Sequence, residues 1–405
     1  MNFLYYITAY LVSVPILQSL FCINLKVLGY VFLLILIFHA IYKSNRIIVT
    51  KSDISIVLIL IILNVYYSFI EQRGLIFATP TYILLLSILL SKVIFFQNSV
   101  ENYFKKIDLI YLIIVFGLLI EYLSLLIFGT EFFEPLICDA SGVQGYRALR
   151  NITSDFLSIS PTGLNSIMMG AQTASQISLI AFIWYASKNR VTRNKLNFLI
   201  ITLAIVMFAL SPSITAVFLA IIFAIIIGII YLVKSYENEL KNYYKLFISL
   251  ALFLVILYFA TNLLLFKHIS FDHVINGLIM SHLEGFFSWG MFEILLGADI
   301  DTINNSFQTS EIHFFQHFAL YGFIGISVFY VSIIYYCVRA LSIYTYLDKD
   351  KLMLITSSII IAIFIFGEVH YYVLFQAGIR ELFALHLSYI IYLGSRASRI
   401  TSKVE

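Results

Sequence analysis

Apolar residues in this chain come in long, nearly unbroken runs, not in the alternating or one-faced patterns of soluble strands and helices. A helix that crosses a bilayer needs about 20 mostly apolar residues. That rule predicts spans near 3–22, 26–42, 54–71, 75–96, 108–128, 166–186, 195–211, 213–233, 244–266, 313–340, 352–372 and 379–395. The expected fold is all-α: a polytopic membrane protein with about 12 transmembrane helices, forming a single integral membrane domain over residues 1–405. The first run has no basic segment before it and leads straight into a second, so it reads as a retained span and not a cleaved signal. Spans seven and eight meet at Leu210-Ser211-Pro212-Ser213-Ile214-Thr215. Proline with three hydroxyl residues suits a tight hairpin or a turn buried in protein.

Composition agrees with this pattern. Of 405 residues, 61% are hydrophobic and 12% charged, against roughly 25% charged in soluble domains. A soluble enzyme or a nucleic-acid-binding module is excluded on that ground. Three cysteines (Cys22, Cys138, Cys337) are too few for a disulfide framework and lack metal-site spacing.

Charge then sets an expected orientation. Lys43, Arg46 and Lys51 follow the second span, and Lys92, Lys105 and Lys106 the fourth. Lys188, Arg190, Arg193 and Lys195 follow the sixth; Lys234, Lys241 and Lys245 the eighth. Arg339, Lys349 and Lys351 follow the tenth, and Arg396, Arg399 and Lys403 close the chain. Lys and Arg mark the cytoplasmic side, so both termini are expected there. The two large loops, about 129–165 and 267–312, then face the opposite side. The second carries Asp272, Glu284, Glu293, Asp299, Asp301 and Glu311.

Candidate chemistry concentrates in those loops. The first holds Arg147 and Arg150, three residues apart, which would share a face of a short helix. Arginine's planar, permanently charged fork suits phosphate oxygens, although lipid headgroups or Asp155 would also engage it. The second loop ends at Glu311 and His313, with His317 one helical turn on. A carboxylate at the edge of a low-dielectric region has a raised pKa and suits general acid–base work. His313 and His317 have zinc-compatible spacing, but no HExxH pattern or third ligand accompanies them, so no metal is expected. Glu121, Glu368, His370, Arg380, Glu381 and His386 lie in apolar surroundings, where ionisable groups are functional candidates. Glu368 paired with Arg380 would equally serve as an interhelical lock.

The whole chain resembles the bacterial O-antigen polymerases (Wzy-type), within the superfamily that also holds the O-antigen ligases. The resemblance rests on the serine-rich turn Ser211-Pro212-Ser213-Ile214-Thr215 and the Leu-Leu-Gly step Leu295-Leu296-Gly297-Ala298-Asp299. It rests also on the segment from Asn304-Asn305-Ser306 through Glu311 and His313 to Gly322 and Gly325, and on the loop of Arg147, Arg150 and Pro161. Three features depart from the pattern. Glu311 stands where ligases carry a His-Asn pair, the serine-rich turn lacks an arginine, and no arginine lies between His268 and His313. His282 is the nearest substitute for that last group.

The resemblance implies an inner-membrane, metal- and cofactor-independent glycosyltransferase. It would move a glycan from undecaprenyl diphosphate to the terminal sugar hydroxyl of another lipid-linked repeat unit, at the periplasmic face. Glu311 is the first choice for the base and His313 the second. Arg147, Arg150, His282, His317 and Arg380 are the expected substrate contacts. Membrane lipid, a chain-length regulator and a flippase of the same pathway are the implied partners; no nucleic acid is. A lipid-linked oligosaccharide flippase or other transporter, an O-antigen ligase, and a non-catalytic component of an assembly complex are the competing readings.

Overall fold

A computed structural model of the chain describes residues 26–42, 50–67, 79–93, 100–128, 170–191, 194–210, 219–220, 223, 280, 284–285, 289–298, 313–343, 351–367 and 379–401. Those residues are almost entirely helical, with no strand among them. The helices are α1 (Lys26–Tyr42), α2 (Lys51–Val65), α3 (Thr79–Val93), α4 (Val100–Phe128) and α5 (Gly170–Val191). They continue as α6 (Lys195–Leu210), α7 (Met291–Leu296), α8 (His313–Ile343), α9 (Lys351–Gly367) and α10 (Ile379–Thr401). Nine of the twelve predicted spans overlap one of these helices, while 3–22, 244–266 and nearly all of 213–233 lie outside the described residues. Two helices are long and apolar enough to cross a membrane, through Ile107–Ser124 of α4 and His317–Leu341 of α8.

The chain forms two compact units: Met1–Val12, Leu25–Asp108 and Ser270–Glu405 in the first, and Ser13–Asn24 and Leu109–Ile269 in the second. In the first unit α10 is the hub, packing against α3, α8 and α9. Every residue from Ile379 to Ile391 of α10 is buried, and α3 is buried along nearly its whole length. Helices apolar on all sides belong in the middle of a bundle. Outward faces are apolar too: Leu34 and Phe38 of α1, Leu58 and Ile62 of α2, and Val331, Ile334 and Val338 of α8 are exposed. In the second unit α5 packs on α6, and the Tyr111 ring of α4 lies 5.8 Å from Trp184 of α5.

Polar contacts set the helix directions in the first unit. At one end, Lys92 in the last turn of α3 pairs with Asp53 in the first turn of α2 at 2.8 Å. Tyr336 of α8 donates to Asp53 Oδ1 at 3.0 Å, and Lys92 also reaches Ser395 of α10 at 3.4 Å. So α3, α8 and α10 bring their C-terminal ends together with the N-terminal end of α2. Helix α2 begins in a capping box: Thr50 Oγ1 accepts from the Asp53 amide while the Asp53 carboxylate accepts from the Thr50 amide. Asp53 lies just ahead of the predicted span 54–71. Burial alone would raise its pKa, but the Lys92 ammonium and the Thr50 bonds outweigh burial and hold the carboxyl below the ordinary value.

Candidate functional site

The opposite end of the first unit brings together the end of α2 and the starts of α3, α8 and α10, with α7 docked beside α8. Its centre is a break in α8. Gly322 has φ 62 and ψ 177, and it joins two helical segments. This conformation is essentially restricted to glycine. The break takes neighbouring carbonyls out of the regular helical ladder, and a carbonyl left bare in an apolar setting costs several kcal/mol. Two of them find other donors. The Ala298 amide donates to the Ala319 carbonyl at 2.8 Å, and the Tyr67 hydroxyl donates to the Tyr321 carbonyl.

Helix α7 reaches this position because a second glycine ends it. Gly297 has φ 96, and its amide donates to the Glu293 carbonyl at 2.9 Å, closing the last turn. The two glycines meet back to back. A Cβ on Gly322 would collide with the Gly297 nitrogen and the Leu295 carbonyl, and a Cβ on Gly297 would collide with the Leu320 carbonyl. A Cβ on Gly325 would strike the Tyr67 hydroxyl. Trp289, Ala298 and Ala319 form a small buried core beneath the joint, with Ile294 packed against it. The Leu-Leu-Gly step and the Gly-x-x-Gly segment, separate features in the sequence, therefore form one backbone joint.

Helix α8 starts at His313, two residues after Glu311. His317 is one turn in and buried, with its ring stacked on Tyr321 at 6.3 Å and 16°. Tyr321 in turn meets the Tyr67 ring edge-on at 5.6 Å. His317 is thus held by the first turns of α8 and their support from α2.

Arg380 and Glu381 open α10, and both are buried. Arg380 Nε donates to Glu381 Oε1 at 2.8 Å, and the Tyr82 hydroxyl of α3 donates to the same oxygen at 3.0 Å. The Arg380 guanidinium lies over the Tyr82 ring, 4.6 Å from its centroid, a cation–π arrangement. Glu381 is therefore the carboxylate paired with Arg380; Glu368, the partner suggested by sequence, lies outside the described residues. A diphosphate approaching Arg380 would compete with a carboxylate already in place.

Arg147, Arg150, His282 and Glu311 lie outside the described residues, as do His370 and the turn at 211–215. For His313 the description extends to the backbone alone. No group of three metal-ligating side chains occurs among the described residues. Sequence reasoning passed over Tyr67, Tyr82, Asp53 and Tyr336. Only Asp53 carried a local signal, the Thr50-x-x-Asp53 capping pattern.

Comparison with known proteins adds no relative: no family model, curated protein or solved structure matches the chain.

Proposed function

We propose that this chain is a polytopic inner-membrane polysaccharide polymerase. It would extend a glycan on undecaprenyl diphosphate by transfer to the terminal sugar hydroxyl of a second lipid-linked repeat unit. The supporting observation is the joint of Gly297 and Gly322. It unites two of the segments on which the resemblance rests, and it anchors residues 319–322 of the helix that begins two residues after Glu311. A base at Glu311 would take the proton of the acceptor hydroxyl as the sugar–diphosphate bond breaks. Arg147 and Arg150 would stabilise the charge developing on the leaving diphosphate. Direct displacement would invert the anomeric centre. Apolar outward faces on α1, α2 and α8 support a lipid setting, and α3, α8 and α10 ending where α2 begins agrees with the predicted order of those spans.

One observation favours a second reading, a carrier for a lipid-linked or small polar molecule. Gln176 of α5 is fully buried, and neither of its amide atoms has a hydrogen-bond partner among the described residues. Buried polar groups at mid-helix mark transport sites in membrane carriers. The surface polysaccharide of a deletion strain separates the two. A polymerase defect leaves single repeat units on the carrier lipid at the outer face and abolishes longer bands. A flippase defect leaves no outer-face intermediate. Complementation with Glu311→Gln should leave the ladder absent although the protein reaches the membrane; a normal ladder removes Glu311 as the base.

A further inference from the structure

Among the described apolar residues, Phe292 (77% exposed) and Met291 (74%) are surpassed in exposure only by Tyr42 (88%). The two are adjacent at the start of α7, a six-residue helix held on both sides. Behind them Trp289 and Ile294 pack into the small core with Ala298 and Ala319. Beyond them Gly297 and Ala298 lock the backbone onto residues 319–322 of α8. These side chains are thus presented by a fixed scaffold, and two large apolar groups held in water gain nothing for folding.

Their depth follows from α8. Of the apolar stretch His317–Leu341, the part beyond the break at Gly322 holds about 19 residues, about 28 Å at 1.5 Å per residue. That matches the roughly 30 Å hydrocarbon core. Residues 319–322 therefore stand at the boundary between headgroups and acyl chains. Directly after them on α8, Phe323 and Ile324 are exposed, and the outward apolar row continues through Val331, Ile334 and Val338. A short helix pinned at that level, with an aromatic and a methionine projecting, has the chemistry of an interfacial anchor.

We propose that Met291 and Phe292 of α7 insert into the bilayer interface, so that α7 tethers the end of the 267–312 loop to the lipid surface beside the α8 break. The occupant of this surface is phospholipid, not a protein partner, because the exposed apolar surface of α8 runs on from the same joint. The tether rests on the reading that α8 crosses a membrane, and it does not depend on the polymerase assignment.

The test uses the full-length protein in phosphatidylcholine vesicles with Cys22, Cys138 and Cys337 replaced by serine. Single cysteines carry a nitroxide at Phe292→Cys or Met291→Cys, with the exposed Glu284→Cys as the aqueous reference and Val331→Cys as the lipid reference. Collision with oxygen, which concentrates in lipid, is compared with collision with a water-soluble nickel chelate. The expected oxygen-to-nickel ratio at positions 291 and 292 is several-fold above that at 284 and approaches that at 331. Ratios equal to position 284, with a lipid-like 331, overturn the tether and leave the span intact. An aqueous 331 overturns the tether together with the membrane reading beneath it. Exclusion of both reagents at 291 and 292 means that protein covers them, and this also overturns the proposal.

Discussion

Replacing Gly322 by alanine tests the joint that organises the candidate site. The native backbone at φ 62 and ψ 177 lies in a region that side chains avoid, at a cost of about 1–3 kcal/mol. The added methyl would also meet backbone atoms, the Gly297 nitrogen and the Leu295 carbonyl, which cannot turn aside as a flexible side chain can. Overpacking of this kind costs a further ~1–3 kcal/mol. The sum, about 2–6 kcal/mol, is a large part of the stability of a typical protein. The control is Gly394→Ala in α10, where a Cβ would come no closer than 3.7 Å to any neighbour. Helix propensity there favours alanine by up to about 1 kcal/mol. Thermal unfolding of the purified protein, followed by loss of the monodisperse peak in size-exclusion chromatography, should show Gly322→Ala melting about 2–7 °C below wild type. Gly394→Ala should melt at or above wild type. If the two variants melt together, the back-to-back contact of Gly297 and Gly322 is not part of the native protein.

Two buried ion pairs give further expectations. Asp53→Ala should lower stability by about 3–5 kcal/mol, because Lys92 is left buried without its carboxylate. Its carboxyl titrates lower folded than unfolded, so its contribution is complete above the unfolded-state value of about 3.9 and is lost only as pH falls through the lower folded value. Melting temperatures of Asp53→Ala and wild type should thus differ by a constant amount between pH 6 and 8; a gap that opens or closes in that range contradicts the assignment. Glu381→Gln should also destabilise, by leaving the Arg380 guanidinium without its counter-charge. Tyr82→Phe should cost less, about 1.5–3 kcal/mol, because the ring under Arg380 survives and one hydrogen bond to a carboxylate is lost. Equal melting of Glu381→Gln and wild type would show that the pair does not form.

The helices were legible in the sequence because apolar runs of their length leave few other solutions. The predicted span 26–42 coincides with α1. Boundaries slipped where helix and apolar run differ in extent. Helix α4 begins at Val100, ahead of the predicted 108, because Glu101, Asn102, Lys105 and Lys106 continue a helix while interrupting an apolar window. Helix α10 passes 395 for the same reason, carrying Arg396 and Arg399. Contacts between distant residues were not legible. Gly297 and Gly322 were each marked as parts of motifs, yet no local periodicity says that residues 25 apart meet through their backbones. Asp53 and Lys92 lie on helices whose pairing only the assembled bundle decides. Arg380 pairs with Glu381 although adjacent helical residues ordinarily diverge; the Tyr82 hydroxyl and ring hold both side chains together, while Glu368 lies outside the described residues.

The central claim is catalytic, and reconstitution tests it most directly. Lipid-linked single repeat units extracted from the deletion strain would be supplied to the purified protein in vesicles, with a chelator present. A polymerase yields a ladder of lipid-linked products of two or more units, without added metal, and Glu311→Gln yields none. Recovery of the single-unit lipid unchanged, with wild-type protein shown to be folded and inserted, would contradict the account.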